Sequence, residues 1–273
     1  MTMKRWVREW LASSRFWLRL ISLMGGVVIW YLITDGMGLI QSKLFPGPRA
    51  VIESLVYLTT QGDLSGGTRY GPNILGHSLY TLQRILMGYF VALIVGISLG
   101  IMVASNRTVE RLARPYIEFI RPIPGLSFIP LTIILLGFGT TQKVFMVFLG
   151  GFWPVLFNTI NGVQGVPANL IQAGMMLGMN RRQLLYRVVL PAALPSIMTG
   201  ARIGIGTAAV TVFGAEFVGA TEGIGWLSIM AESLLRIPDV IVGMAFMGLI
   251  GLMLTGLFAR IERRVVRWHY LGQ

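Results

Sequence analysis

Cysteine is absent from the 273 residues, and histidine occurs only at His77 and His269. The first absence removes disulfides, thiol nucleophiles and thiolate metal sites, and the second leaves no spacing suited to a metal centre. Charge is scarce as well: Asp, Glu, Lys and Arg make up 12% of the chain, about half of what a water-soluble domain of this length carries. No G-x-x-x-x-G-K-[ST] loop occurs, so the chain has no recognisable means of cradling a nucleotide. Neither the apolar stretches nor the short loops hold the cluster of His, Asp and Glu that an integral-membrane enzyme needs. These absences predict a chain without catalytic residues, metal or cofactor of its own; any ATP is hydrolysed elsewhere.

What the chain does have is apolar length. Hydrophobic residues make up 54% and the mean hydropathy is +0.70, in runs of about 20 residues that match a hydrocarbon core of about 30 Å. The fold class predicted is all-α integral membrane, with about six spans at 18–40, 85–104, 123–142, 143–163, 197–220 and 240–259. Gly137, Gly139, Thr140 and Thr141 supply the turn between the third and fourth spans, and Lys143 is expected to reach a headgroup region. The first span is the weakest of the six. A cleaved signal peptide is the competing reading there, disfavoured by arginines that continue to Arg19 and by the lack of a small-x-small cleavage site.

Basic residues report orientation, because positively charged loops are retained in the cytoplasm. The N-terminus, the second and fourth loops and the C-terminus hold sixteen, against six on the other side: Lys43, Arg49, Arg69, Arg84, Lys143 and Arg236. Both termini are therefore expected in the cytoplasm. The formal charge of +12 is then a topological signal with attraction to anionic lipid as its by-product. Nucleic acid is not an expected partner, since the basic residues are split among four segments without interleaved aromatics.

The fourth loop, 164–196, is too polar to cross a membrane and too regular to be a linker. Pro167 can start a helix, Ala168 to Leu177 favour one, and Gly178 with Asn180 can end it in a left-handed turn. A second helix is expected to begin near Arg181, to carry Leu184, Leu185, Val188 and Val189 on one side, and to end by Pro191, with Pro195 preceding the fifth span. Two short helices at a basic face suit either lying on headgroups or docking in a partner's groove.

Gln172-Ala173-Gly174, then Gly178, then Val188-x-Leu190-Pro191 resembles the EAA loop, E-A-A-x3-G-x9-I-x-L-P, of permease subunits of bacterial ATP-binding-cassette importers. Two positions depart from it: Gln172 stands for the Glu and Gly174 for the second Ala, so a hydrogen bond replaces any salt bridge at the first. The resemblance runs from about Ser78 to Trp268, through ERLARPYIEFIRPIPGLSFIPL, GARIGIGTAAVTVFGAEFVGATEGIGWL and RRVVRWH, and is strongest to the nitrate, sulfonate, taurine and bicarbonate branch. It implies a type I importer permease in the bacterial inner membrane, working as a homodimer with two ATP-binding subunits, which hold ATP and magnesium, and an extracytoplasmic solute-binding protein. It further implies that Gln172, Ala173, Gly174, Leu177, Gly178, Met179, Asn180, Arg181, Arg182, Leu190 and Pro191 couple to the ATPase. The chain then divides into a cytoplasmic segment 1–17, a first helix 18–40, an extracytoplasmic segment 41–84, a permease core 85–259 and a cytoplasmic tail 260–273.

Candidate pathway or gate residues are Pro122, Pro124, Pro130, Thr207, Thr211 and Glu216. The prolines lie in a run dense in helix breakers whose freed carbonyls can line a path or hinge, although a kinked helix entrance is the plainer reading. Glu216 suits either the pathway or a structural hydrogen bond. Gly200, Gly204, Gly206 and Gly214 read as helix packing. Within 41–78, the amphipathic stretch 49–58 touches a binding protein or lies on the outer surface. An autonomous channel or ion-coupled transporter is the rival function, and a co-purifying nucleotide-binding subunit discriminates the two.

Overall fold

The computed structural model describes residues 14–36, 45–60 and 73–267, and every regular element among them is helical. These are α1 (Ser14–Tyr31), extended by a π turn over Leu32–Gly36, α2 (Pro48–Thr60), α3 (Ile74–Ser105), α4 (Arg107–Ile120), a 3-10 turn (Gly125–Phe128), α5 (Ile129–Leu136) and α6 (Thr140–Gln164). There follow α7 (Ala168–Met176), α8 (Arg181–Leu184), a π turn (Leu185–Val189), α9 (Leu190–Glu216), α10 (Ile224–Ser233) and α11 (Ile237–Val265). The basic residues before Ser14, together with Lys43, Arg69, Gly66, Gly67 and His269, lie outside the described residues.

Two compact units divide the chain. The first takes the described residues up to Asn73 with Met230–Val242. In it Trp30 Nε1 donates to the Pro46 carbonyl at 3.2 Å. Ser54 of α2, buried, donates to Asp239 Oδ1 at 2.6 Å, and Arg236 Nε reaches Asp239 Oδ2 at 2.9 Å. The amphipathic stretch 49–58 is thus a helix fastened through its inner face.

The second unit, Ile74–Ile229 with Gly243 onward, holds the main core. Its axis is α6, packed along α3 on one side and α9 on the other. Small residues let these helices close up: a side chain at Gly88 would run into the Val144 carbonyl, one at Gly100 would meet Thr159 Cβ at 2.6 Å, and Gly96 faces Val155 at 2.9 Å. With Ala92, also buried, these make a small-residue stripe at four-residue spacing down α3, a device suited to helices whose association gains nothing from expelling water. Gly200, Gly204 and Gly214 act likewise on α9 against Asn158, Gly151 and Leu126, whereas Gly206 has room to spare.

Among the described residues four helices are long and apolar enough to cross a membrane, and a bent pair makes a fifth. α1 is not one of them. The second span starts at Ile74 rather than 85, so Arg84 lies inside a helix. The expected span 123–142 is replaced by Arg107–Ile120 and Gly125–Leu136, bent by 91° at the Arg121-Pro122-Ile123-Pro124 break. Proline disfavours a helical conformation in the residue before it and donates no amide; Arg121 still closes the helix in helical geometry, but two prolines one residue apart leave no run of donors to carry it further. The predicted turn holds: Gly137 has φ +73° and α6 starts at Thr140 after Gly139.

Candidate functional site

The segment joining α6 to α9 is built by local rules. Pro167 stands at the N-cap of α7, and the helix ends in a Schellman motif: the Gly178 amide donates to the Met175 carbonyl at 2.9 Å, and the Met179 amide to Gly174 at 3.1 Å. That closure needs a left-handed residue, and Gly178 supplies it with φ +74°. Asn180 then opens α8 with a capping box, its Oδ1 accepting from Gln183 N at 2.9 Å while Gln183 Oε1 accepts from Asn180 N at 3.0 Å.

The predicted stop at Pro191 does not occur. From Arg181 to Glu216 the chain is one helical run of 36 residues. Leu185–Val189 widens to a π turn, with the Leu190 amide reaching back to the Leu185 carbonyl. The wider turn lets the Pro191 ring be accommodated without ending the helix. A rod therefore runs unbroken from within the 164–196 segment into the core.

The eleven residues expected to couple to an ATPase separate by exposure. Gln172, Ala173, Leu177, Gly178, Asn180, Arg181, Arg182 and Pro191 are exposed, and Met179 is half-buried. Gly174 is turned inward, where a Cβ would meet Leu184 Cδ1 at 2.6 Å; it clamps α7 to α8 rather than facing outward, which accounts for a residue smaller than the motif's Ala. Leu190 packs with Val166, Val189 and Ala193 in the core beneath. The outer surface of α7 is apolar, with Met176 87% and Leu177 77% exposed.

Candidate pathway residues do not form one site. Thr207, exposed, donates to the Gly150 carbonyl at 2.8 Å, and Thr211, one turn on, is buried and donates to the Thr207 carbonyl at 2.8 Å. Pro122, Pro124 and Pro130 are exposed around the bend. Glu216 is fully buried in a different cluster, at the end of α9.

That cluster was not foreseen as a unit. Arg84 Nη1 donates to Glu216 Oε1 at 2.7 Å and to the Glu222 carbonyl at 2.7 Å. Thr81 Oγ1 stands 3.0 Å from both carboxylate oxygens and accepts from Ile224 N at 2.9 Å, while Gly225 N donates to Oε2 at 2.9 Å. His77 Nδ1 accepts from Gly223 N at 3.1 Å, which places that ring's proton on Nε2 if the imidazole is neutral. Lys143, expected to reach headgroups, is buried and donates to the Gly219 carbonyl at 2.9 Å. The Gly219 carbonyl, freed by the turn after α9, gives the ammonium an acceptor inside the protein, so the side chain does not snorkel. Gly219 (φ +63°) and Gly223 (φ +115°) shape the turn, and a side chain at Gly223 would occupy the place of the Glu216 carboxylate. The result is a clasp: α3, α6 and α9 together hold the 217–225 turn.

A second charged contact ties α9 to α11, where Arg202 Nη1 lies 3.3 Å from the buried Glu262. The two ion pairs therefore tie α3 to α9 and α9 to α11.

Comparison with known proteins agrees with the sequence resemblance. The chain is 38% identical over 243 residues to a putative ABC transporter permease protein of Methanocaldococcus jannaschii, covering 89% of this chain and 88% of that one. It is 32% identical over 261 residues to the taurine transport system permease protein of Escherichia coli, covering 96% and 93%. Among solved structures, the inward-facing MetNI methionine ABC transporter is similar in fold, with a TM-score of 0.62 at 20% identity over 70% of this chain and 95% of that chain. Residues 92–267 match the family described as binding-protein-dependent transport system inner membrane component, and the chain belongs to that family as a multi-pass ABC importer permease.

Proposed function

We propose that this permease forms the translocation path for a small anion, with sulfonates such as taurine ahead of nitrate or bicarbonate, and is driven by ATP hydrolysed on a separate subunit. The observation that carries the reading is α7: an exposed helix, opened after Pro167 and closed by the left-handed Gly178, whose apolar tip at Met176 and Leu177 has no cover from its own unit. Closure of two ATPase subunits would move their grooves, and α7, packed through Gly174 against the helical run Arg181–Glu216, carries that motion to the core. The functional assembly in this reading is a homodimer with two ATP-binding subunits and an extracytoplasmic solute-binding protein, in a bacterial inner membrane. The solute preference rests on the taurine permease among the relatives, matched over nearly its whole length.

The purified chain alone should neither bind nor hydrolyse ATP, and solute uptake into vesicles should appear only when an ATPase subunit and a binding protein are added. Uptake by the chain alone would instead establish an autonomous channel or ion-coupled carrier.

Six spans with both termini in the cytoplasm complete the proposal. Burial of Arg84 and Lys143 strengthens it, since two of the six basic residues counted on the outer side are engaged within the protein. In the cysteine-free chain, single cysteines at Ser14, Asn180 and Gln273 should be shielded from an impermeant thiol reagent outside intact cells, and one at Ser65 should react. Labelling at Asn180 from outside reverses the topology.

A further inference from the structure

Helix α4 (Arg107–Ile120) belongs to neither the coupling segment nor the clasp, and no residue along its 14 is buried. Its surface divides lengthwise into three sectors. Val109, Ala113, Ile117 and Ile120 are half-buried. Arg107, Arg111, Arg114 and Glu118 share a charged face by their three- and four-residue spacing. Leu112, Tyr116 and Phe119, also at that spacing, are 67%, 72% and 75% exposed. Large apolar side chains this exposed, in a row beside arginines, suit a boundary between water and hydrocarbon.

The bend supplies the second observation. The stretch Gly125–Leu136 contains α5, whose sequence IPLTIILL is without charge, and it rises only about 20 Å, less than a hydrocarbon core of about 30 Å. α4 leaves it at 91°. If the apolar stretch stands across the membrane, α4 lies along the membrane plane where the short span falls short.

We propose that α4 is an interfacial helix in the cytoplasmic leaflet, with Leu112, Tyr116 and Phe119 in the acyl boundary and Arg107 and Arg111 on the phosphates of anionic lipid headgroups. Charge selects this occupant. Arg114 is paired with Glu118 at 2.8 Å, and at the start of the helix Arg107 and Arg111 outnumber the one carboxylate there, Glu110, which is turned to Gln164 at 2.9 Å. Anionic headgroups attract such a cluster, whereas a symmetric contact with a second copy through this face would bring the same arginines toward one another.

The absence of cysteine makes the test direct. Full-length Tyr116→Cys and Glu118→Cys variants carry an environment-sensitive nitrobenzoxadiazole label in phosphatidylcholine vesicles mixed with phosphatidylglycerol. The label at Tyr116 should emit at shorter wavelength than that at Glu118, and be quenched more by lipids spin-labelled near the headgroup than by those labelled at the chain end. Spin-labelled phosphatidylglycerol should quench it about twofold more than spin-labelled phosphatidylcholine, and adding Arg107→Gln with Arg111→Gln should bring that ratio to one. Water-like emission at Tyr116 overturns the proposal. So does short-wavelength emission without lipid quenching, which signifies cover by protein, and so does equal quenching by the two lipids in the chain that retains both arginines.

Discussion

Replacing Arg84 by methionine should destabilise the permease by about 3–5 kcal/mol, because it leaves the Glu216 carboxylate buried without its cation. The pair is separated by 2.7 Å and both side chains are almost wholly out of contact with solvent. Thr81 and the Gly225 amide would still donate to the carboxylate, but two neutral donors do not replace a guanidinium in a site without water. The turn would loosen too, since the same Nη1 holds the Glu222 carbonyl. The measurement is the thermal midpoint of the detergent-solubilised chain, followed by fluorescence-detected gel filtration. The double variant Arg84→Met with Glu216→Gln should recover most of the loss, because an amide needs no cation and can still accept from Gly225. A double variant no better than the single one would mean that the pair does not secure the 217–225 turn.

Gly178→Asp should abolish uptake while leaving insertion and dimer formation intact. At φ +74° the new residue takes a left-handed conformation, at about 1 kcal/mol, with Asp among the side chains that tolerate it best. Nothing of the chain lies within 4 Å of where its Cβ would stand. The local fold can therefore accept the change, and its effect falls on whatever docks there. A carboxylate buried unpaired against a partner costs about 1–3 kcal/mol or more, enough to weaken ATPase association at least several-fold. Gly178→Ala, with a backbone penalty at least as large but no charge, should keep more of the association. Co-purification of the ATPase subunit and solute uptake measured together decide the matter: full association with full uptake in the Asp variant would remove α7 as the coupling element.

Local chemistry in this chain was legible because its causes lie within a few residues. Pro167 opening α7, Gly178 closing it and the Gly137 to Thr141 turn follow from backbone rules that need no knowledge of the surroundings. The Asn180–Gln183 capping box was equally local, yet Asn180 read as part of the preceding helix's end. His77, Thr81 and Arg84 show a readable signal cut in half. Their i, i+4, i+7 spacing puts them on one helical face, but starting the span at 85, where charge ends, placed all three in an outer segment. A hydropathy boundary presumes that arginine ends a span; a buried acid partner lets the span continue through it.

Pro191 and the prolines at 122 and 124 show where a residue rule alone is insufficient. All three remove a backbone donor, but at Pro191 a π turn absorbs the ring and the helix goes on, whereas two prolines separated by one residue, followed by Gly125, turn the chain by 91°.

Sequence alone pointed to a polytopic membrane protein resembling the importer permeases and marked out the short helices between α6 and α9, because composition, span length and caps act locally. Only the tertiary structure decided which charges are internal. Arg84 and Glu216 are 132 residues apart, and they meet because Gly88, Ala92, Gly96 and Gly100 let α3 lie against α6 while Gly200 and Gly204 bring α9 to its other side. No single segment encodes that approach; it follows from the shapes of three helices packed together, and those shapes make a buried clasp of charges that read as part of a loop.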